Sequence, residues 1–175
     1  MNNDNISLVF SDNINADSVK AFMDKLVLAN EQKPDSKQLT VYISSAGGDV
    51  DVAIELYNFI RSLDCRVKMV NTSYVNSAAV IVFLAGDERI CLHNSSFYVH
   101  SVSKRLDGIY NAVELMREVK EMKTNTDKIA ELLAETTKKN KAYWKQMMSK
   151  GFVITSKKSF ELGLSHAIER KHREH

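Results

Sequence analysis

An apolar run of eight residues follows a single serine near the middle of the chain. Residues 74–86 read Y-V-N-S-A-A-V-I-V-F-L-A-G, and no side chain from Ala78 to Ala85 is polar. A run of this kind belongs in a core, and we interpret it as a buried helix. Ser77 would then lie in the first turn of that helix, where free N–H groups and the helix dipole favour negative charge. Two interpretations of Ser77 remain open: a nucleophile beside an oxyanion site, or an ordinary N-cap.

Segments of strand and helix periodicity alternate on both sides of this run. Strands are predicted at Ile6–Phe10, Leu39–Ile43, Val67–Val70, Arg89–Leu92, Phe97–Val99, Phe152–Thr155 and Ala167–Ile168. Helices are predicted at Ala16–Asn30, from Val50 onward, at 108–135, at Lys138–Met148 and at Ser156–Leu162. This order predicts an α/β domain with parallel strands.

Three polar or glycine-containing sites follow predicted strands directly, namely Gly47-Gly48, Ser77 and His100. Functional sites of α/β domains form at the carboxyl ends of parallel strands. Two adjacent glycine N–H groups can hold an oxyanion, and a histidine can act as general base to a serine. Each feature taken singly has a plainer interpretation, a tight turn or a histidine at a strand end, so the prediction depends on all of them together.

Composition limits the class of protein. The chain has 175 residues, 44% of them hydrophobic, and a formal net charge of +2. This length and balance indicate one globular domain with no general attraction to nucleic acid or membrane. Cys65 and Cys91 have neither metal-ligand nor disulfide spacing, which fits a reducing, cytoplasmic compartment. We expect no metal, no cofactor, no signal peptide and no membrane span.

Three ordered blocks resemble the Clp protease proteolytic subunit family, ClpP. V-Y-I-S-S-A-G-G-D-V at 41–50 resembles the family's Y-I-N-S-P-G-G-S-V, and Ser77 lies 29 residues after Gly48, at the spacing of the family's nucleophile. H-N-S-S-F-Y-V-H, which ends at His100, is similar to the block before the catalytic histidine. F-V-I-T-S-K-K-S-F-E-L-G-L at 152–164 resembles the family's closing block.

The resemblance implies a ClpP/crotonase-type α/β fold of repeated β-β-α units in a single domain, 1–175. Its parts would be a head (about 6–105 and 150–168), a long handle helix region (about 108–148) and a charged tail (169–175). It further implies Ser77 as nucleophile, His100 as general base, and the N–H groups of Gly48 and Ala78 as the oxyanion hole. Family members hydrolyse peptide bonds inside homo-oligomeric rings of seven, stacked in pairs through the handle.

The sequence departs from the family at the third catalytic position, an aspartate in the family. That position falls at Met147, and no carboxylate occurs between Glu135 and Glu161. An aspartate orients the histidine, and an amide can do so in its place. Candidate orienters of His100 are therefore Gln146, Asn140 and Ser149, and Lys150 is an alternative base.

Three functions stay open at this point. The first is a ClpP-like serine peptidase that cleaves unfolded chains or short peptides through a Ser-His pair. The second is a catalytically weak or inactive structural subunit of a ring, and the third is a crotonase-like acyl-coenzyme A enzyme. The acid-arginine pair that helps ClpP rings to assemble is replaced by Ser149-Lys150. The amino-terminal segment that lines the axial pore in the family is short, because the first strand begins near Ile6. Docking of an ATPase unfoldase is therefore not expected.

Overall fold

The computed structural model describes residues 6–32 and 38–169 of the chain. The strands are β1 (Ile6–Phe10), β2 (Gln38–Ser45), β3 (Arg66–Asn76), β4 (Glu88–Leu92), β5 (Ser96–Val99), β6 (Phe152–Thr155) and β7 (Ala167–Glu169). The helices are α1 (Ala16–Gln32), α2 (Val50–Arg61), α3 (Ala79–Leu84), α4 (Ala112–Thr136), α5 (Lys141–Lys150) and α6 (Ser156–Leu162). The predicted loop at 33–37 and the end of the predicted tail, 170–175, lie outside the described residues.

The sheet confirms the predicted α/β class. Strands β1, β2, β3, β4 and β7 are neighbours in that order, and every pair among them is parallel. β5 pairs with the far end of β3, and β6 adds an antiparallel strand to β5. The helices between parallel strands bury their apolar faces on the sheet, which is the usual way to cover both of its faces.

Helix α3 lies at the centre of the core. All six of its residues are at most 2% exposed, and it packs against α2, α4 and β3. The ring of Phe83 meets the ring of Phe97 edge to face, with centroids 5.0 Å apart. The apolar run is thus a buried helix as predicted, but the helix begins at Ala79 and not at Ser77.

Strand β3 is longer than predicted, because Asn71–Asn76 continue the strand beyond Val70. Its first half pairs with β4, and residues Tyr74–Asn76 pair with β5. The sequence does not predict this extension, because most residues in the second half of the strand are polar. Buried Asn71 lies where β3 changes its partner from β4 to β5, and its Nδ2 donates to the Ser96 carbonyl at 2.9 Å. This change of partner brings the end of β3 beside the end of β5.

The buried Arg89 side chain forms hydrogen bonds to backbone carbonyls at the ends of three helices. The Arg89 side chain donates to the carbonyls of Gly86, Thr136, Gly163 and Leu164 at 2.9–3.3 Å. These carbonyls lie at or just beyond the C-terminal ends of α3, α4 and α6. Helix C-terminal ends are negative, so they stabilise a guanidinium that is only 7% exposed.

Helices α4 and α5 begin later than predicted. Asn111 caps α4 in a capping box with Glu114, and Asn140 caps α5. The side chains of the first half of α4 are mostly exposed, whereas Ile129 and Leu133 in the second half are buried. The apolar side chains of this helix are therefore covered over only part of its length.

Candidate active site

Three loops meet at the carboxyl edge of the sheet. Ser45 of β2 is in register with Val75 of β3, and Asn76 of β3 is in register with Tyr98 of β5. Gly47-Gly48 begins two residues after Ser45, Ser77 follows Asn76 directly, and His100 lies two residues after Tyr98. The Ser77 N–H donates to the Tyr98 carbonyl at 2.7 Å, which ties the serine turn to the strand that leads to His100.

Ser77 has an uncommon backbone conformation. Its φ of 53° makes it the one non-glycine residue with positive φ in the described part of the chain. A residue with a Cβ in this region costs about 1–2 kcal/mol, and such strain is concentrated at functional sites. A serine on a sharp turn between a strand and a buried helix is also the geometry that presents a nucleophile in α/β hydrolases.

The N-cap interpretation of Ser77 is wrong. Ala78 occupies the N-cap position of α3, and no side-chain hydrogen bond caps this helix. Within the described residues the Ser77 hydroxyl forms no hydrogen bond to a protein group, and the side chain is half-buried. The hydroxyl is therefore not committed to a structural role.

Gly47 and Gly48 lie where there is no room for a side chain. A Cβ on Gly47 would lie 2.6 Å from the Asn76 oxygen and 2.8 Å from the Ser77 Cβ. A Cβ on Gly48 would lie 2.1 Å from the Ile14 oxygen. Glycine is the only residue that lets three backbone segments approach so closely.

Two backbone donors at this edge have no protein acceptor. In the described part of the chain, neither the Gly48 N–H nor the Ala78 N–H donates to another protein group. Ala78 is fully buried, and buried N–H groups are nearly always paired. The Ala78 nitrogen lies close to the residue before Gly48, since a Cβ on Gly47 would lie 3.1 Å from it. Unpaired N–H groups of this kind can stabilise an oxyanion.

The His100 ring is held by its backbone surroundings. Nδ1 lies 2.7 Å from the Ser101 carbonyl oxygen, and the ring stacks on Tyr98 with centroids 5.2 Å apart and planes 22° apart. Because a carbonyl can only accept, this contact requires the hydrogen on Nδ1, and in the neutral ring Nε2 is then the acceptor. Among the described residues no hydrogen bond joins His100 to Ser77.

The three side chains predicted as orienters of His100 are engaged elsewhere or face solvent. Asn140 Oδ1 accepts from the Tyr143 N–H at 2.9 Å as the cap of α5. The Ser149 hydroxyl donates to the Gln146 carbonyl at 2.9 Å, and the Gln146 side chain is exposed. Within the described residues none of them bonds to His100, and exposed Lys150 forms no bond to Ser77. Sequence reasoning missed Tyr98 and the Ser101 carbonyl, because a main-chain acceptor has no signature in the sequence.

Two features are absent from the described ranges, 6–32 and 38–169. No three His, Cys, Asp or Glu side chains there are grouped closely enough to hold a metal ion. No helix among those residues is long and apolar enough to cross a membrane.

Comparison with known proteins agrees with the resemblance of the three sequence blocks. The chain matches the Clp protease family over residues 2–172. The ATP-dependent Clp protease proteolytic subunit 2 of Treponema denticola is 25% identical over 169 residues, which are 95% of this chain and 83% of that protein. The subunit of the same name from Treponema pallidum is 28% identical over 139 residues, 78% of this chain and 69% of that protein.

A mutant of ClpP1 from Listeria monocytogenes has the same fold, with a TM-score of 0.83 at 22% identity. The match covers 94% of this chain and 91% of that one. No comparison supports the acyl-coenzyme A alternative. A family match over nearly all of the sequence, together with this fold, shows that the chain is a divergent member of the Clp protease family.

Proposed function

We propose that this protein is a serine-type peptidase that hydrolyses peptide bonds in unfolded chains or short peptides. The observation that supports it most is the strained, uncommitted Ser77 between β3 and α3, with Gly47-Gly48 and His100 on the neighbouring strand ends. Membership of a protease family gives the reaction class. The assignment of the individual residues rests on this geometry.

In the proposed reaction Ser77 Oγ attacks the carbonyl carbon of the scissile bond, and His100 Nε2 accepts the hydroxyl proton. The N–H groups of Gly48 and Ala78 donate to the oxyanion that forms. When the intermediate collapses, the C–N bond breaks and the imidazolium gives its proton to the leaving amine. Water then releases the acyl group by the same steps. The pair need not be bonded before substrate arrives, since catalytic contacts often tighten only in the complex.

Hydrolysis of fluorogenic short peptides and of unfolded casein tests this function. We expect the wild-type protein to cleave at least one of them and Ser77→Ala to cleave neither. Ser73→Ala is the matched control, because Ser73 is an exposed serine on β3, four residues before Ser77. Cleavage that survives Ser77→Ala would contradict the proposal.

A second candidate is a structural, catalytically weak subunit of an assembly. It is favoured because, within the described residues, none of the three predicted orienters bonds to His100, and because the resemblance places Met147 at the family's acid position. For this candidate the wild type and Ser77→Ala should assemble equally well, and neither should hydrolyse any peptide. Detectable turnover that depends on Ser77 would exclude it.

We also propose that the chain forms a homo-oligomeric ring through the handle predicted at about 108–148, with stacked heptamers, the family's arrangement, as one form that it can take. The first half of α4 supports this, because Val113, Met116 and Val119 are 65%, 66% and 43% exposed. Exposed apolar side chains on one helix indicate a surface that a partner covers. Met116→Glu should shift sedimentation toward smaller species, and an unchanged profile would contradict the role of this helix.

We also propose that the protein is cytoplasmic. Cys65 and Cys91 are both free, which agrees with the reducing, cytoplasmic environment expected from the sequence. The relatives are named as subunits of an ATP-dependent protease. No ATPase partner is assigned to this chain.

A further inference from the structure

No carboxylate occurs between Glu135 and Glu161, the stretch in which the resemblance places the family's aspartate, so another group must orient His100 if the proposed function holds. Met147, the residue at which the resemblance places that aspartate, has only a thioether, which is a weak acceptor. Loss of the orienting acid in the template triad leaves the histidine in the wrong tautomer and lowers turnover about 10⁴-fold. The tautomer is therefore the property that a substitute has to control.

The group that contacts His100 Nδ1 is the carbonyl of the peptide bond between Ser101 and Val102, at 2.7 Å. The N–H of that same peptide group, on Val102, donates to Thr126 Oγ1 on α4 at 3.0 Å. Thr126 Oγ1 in turn donates to the Met122 carbonyl of its own helix at 2.8 Å. The hydrogen bonds thus run in one direction, from His100 through one peptide group and one threonine into α4.

These hydrogen bonds both fix the position of the Ser101 carbonyl and make it a stronger acceptor for His100 Nδ1. A peptide group whose N–H is already donating has a more polarised carbonyl, because successive hydrogen bonds reinforce each other. The Ser101 N–H donates to the Met148 carbonyl at 2.9 Å, which anchors the preceding peptide group to the end of α5. The carbonyl that meets His100 is therefore held from two helices.

Tyr98 restrains the ring from its face. It stacks on His100, and its hydroxyl lies over Gly151, where a Cβ would come within 2.6 Å of the Tyr98 oxygen. Gly151 has a φ of 66°, so glycine is favoured there by conformation as well as by space. The imidazole is thus bounded by a stacked ring on one face and a fixed acceptor at Nδ1.

We propose that the Ser101–Val102 peptide group, positioned by Thr126 and assisted by the stacked Tyr98, takes the place of the carboxylate in orienting His100. Thr126 and Tyr98 are positioning residues, since they act through the histidine. The inference rests on the proposed function for its catalytic meaning. The inference also predicts that His100 carries its hydrogen on Nδ1 and that this depends on Thr126. Both predictions can be measured even in a protein that shows no peptidase activity.

The test uses three threonine variants of the full chain and two readouts. Thr126→Val removes the acceptor for Val102 and keeps the side-chain shape, and Thr126→Ser keeps the hydroxyl. Thr124→Val is the matched control, because Thr124 forms the same bond to its own helix, to the Lys120 carbonyl at 2.9 Å, and is exposed. Tyr98→Leu and Tyr98→Phe separate loss of the ring from loss of the hydroxyl.

The first readout is the His100 tautomer, from the ¹⁵N chemical shifts of its ring at neutral pH. We expect the Nδ1–H form in the wild type, in Thr124→Val and in Thr126→Ser, and a mixture of tautomers in Thr126→Val. An Nε2–H histidine in the wild type would overturn the inference even if Thr126→Val failed to fold. So would a Thr126→Val spectrum identical to that of Thr124→Val.

The second readout is the rate at which a fluorophosphonate modifies Ser77. Loss of one positioning hydrogen bond should slow Thr126→Val about fivefold, leave Thr126→Ser and Thr124→Val close to wild type, and slow Tyr98→Leu more than Tyr98→Phe. Equal rates in Thr126→Val and Thr124→Val would overturn the inference. If the wild type is not modified at all, the proposed function fails, and the tautomer measurement still decides this inference.

Discussion

Replacing Ser77 with glycine should make the protein more stable, although it removes the proposed nucleophile. At φ 53° a residue with a Cβ pays about 1–2 kcal/mol that glycine does not. Glycine also has more freedom in the unfolded chain, which offsets about 0.4–1 kcal/mol of that gain. The expected net stabilisation of Ser77→Gly is about 0.5–1 kcal/mol.

Ser77→Ala is the comparison that separates strain from the loss of the hydroxyl. Alanine keeps the Cβ and the strain, and within the described residues the hydroxyl that it removes bonds to no protein group. Its stability should therefore lie within about 0.5 kcal/mol of the wild type. An N-cap serine would behave differently, since alanine there costs about 1 kcal/mol and glycine a few tenths.

Urea unfolding of the three proteins at one common concentration measures these differences, because assembly would make stability depend on concentration. A thermal scan should show Ser77→Gly about 1–4 °C above the wild type. The strained turn predicts that glycine is most stable and that serine and alanine are nearly equal. A wild type more stable than both variants would refute the reasoning.

Three further changes have clear expected outcomes. Arg89→Met leaves four helix-end carbonyls without their donor and should cost about 3–5 kcal/mol in urea unfolding. Gly48→Ala places a Cβ 2.1 Å from the Ile14 oxygen and should cost about 3 kcal/mol or more, measured in the same way. Partial burial and the charge of Arg89 lower the pKa of His166 below 6.5, so the unfolded chain binds its proton first and stability falls as pH drops below that value. His166→Asn should lose less stability between about pH 7 and about pH 5, and an equal loss would contradict this assignment.

The order of strands and helices could be predicted from the sequence because most elements have a clear period. The β1 strand and helix α6 have the predicted bounds, and α3 is the predicted buried helix. The second half of β3 could not be found in this way. Its polar residues look like a loop and become a strand only because β2 and β5 supply partners from distant parts of the chain.

The candidate site was predictable in part for the same reason. Parallel strands place their carboxyl ends at one edge, so the meeting of Gly47-Gly48, Ser77 and His100 follows from the order of the elements. The positive φ of Ser77 could not be inferred from composition. Nor could the group that contacts His100 Nδ1, because main-chain acceptors are present at every residue and only the fold selects one of them.

The central claim is that Ser77 is an activated nucleophile, and covalent labelling tests it most directly. Folded wild-type protein, Ser77→Ala and His100→Gln would be treated with a fluorophosphonate at neutral pH and weighed by intact-mass spectrometry, since only an activated serine reacts under these conditions. The account predicts one adduct on the wild type, none on Ser77→Ala and strongly slowed reaction of His100→Gln. An unmodified wild type, or an adduct that persists in Ser77→Ala, would contradict it.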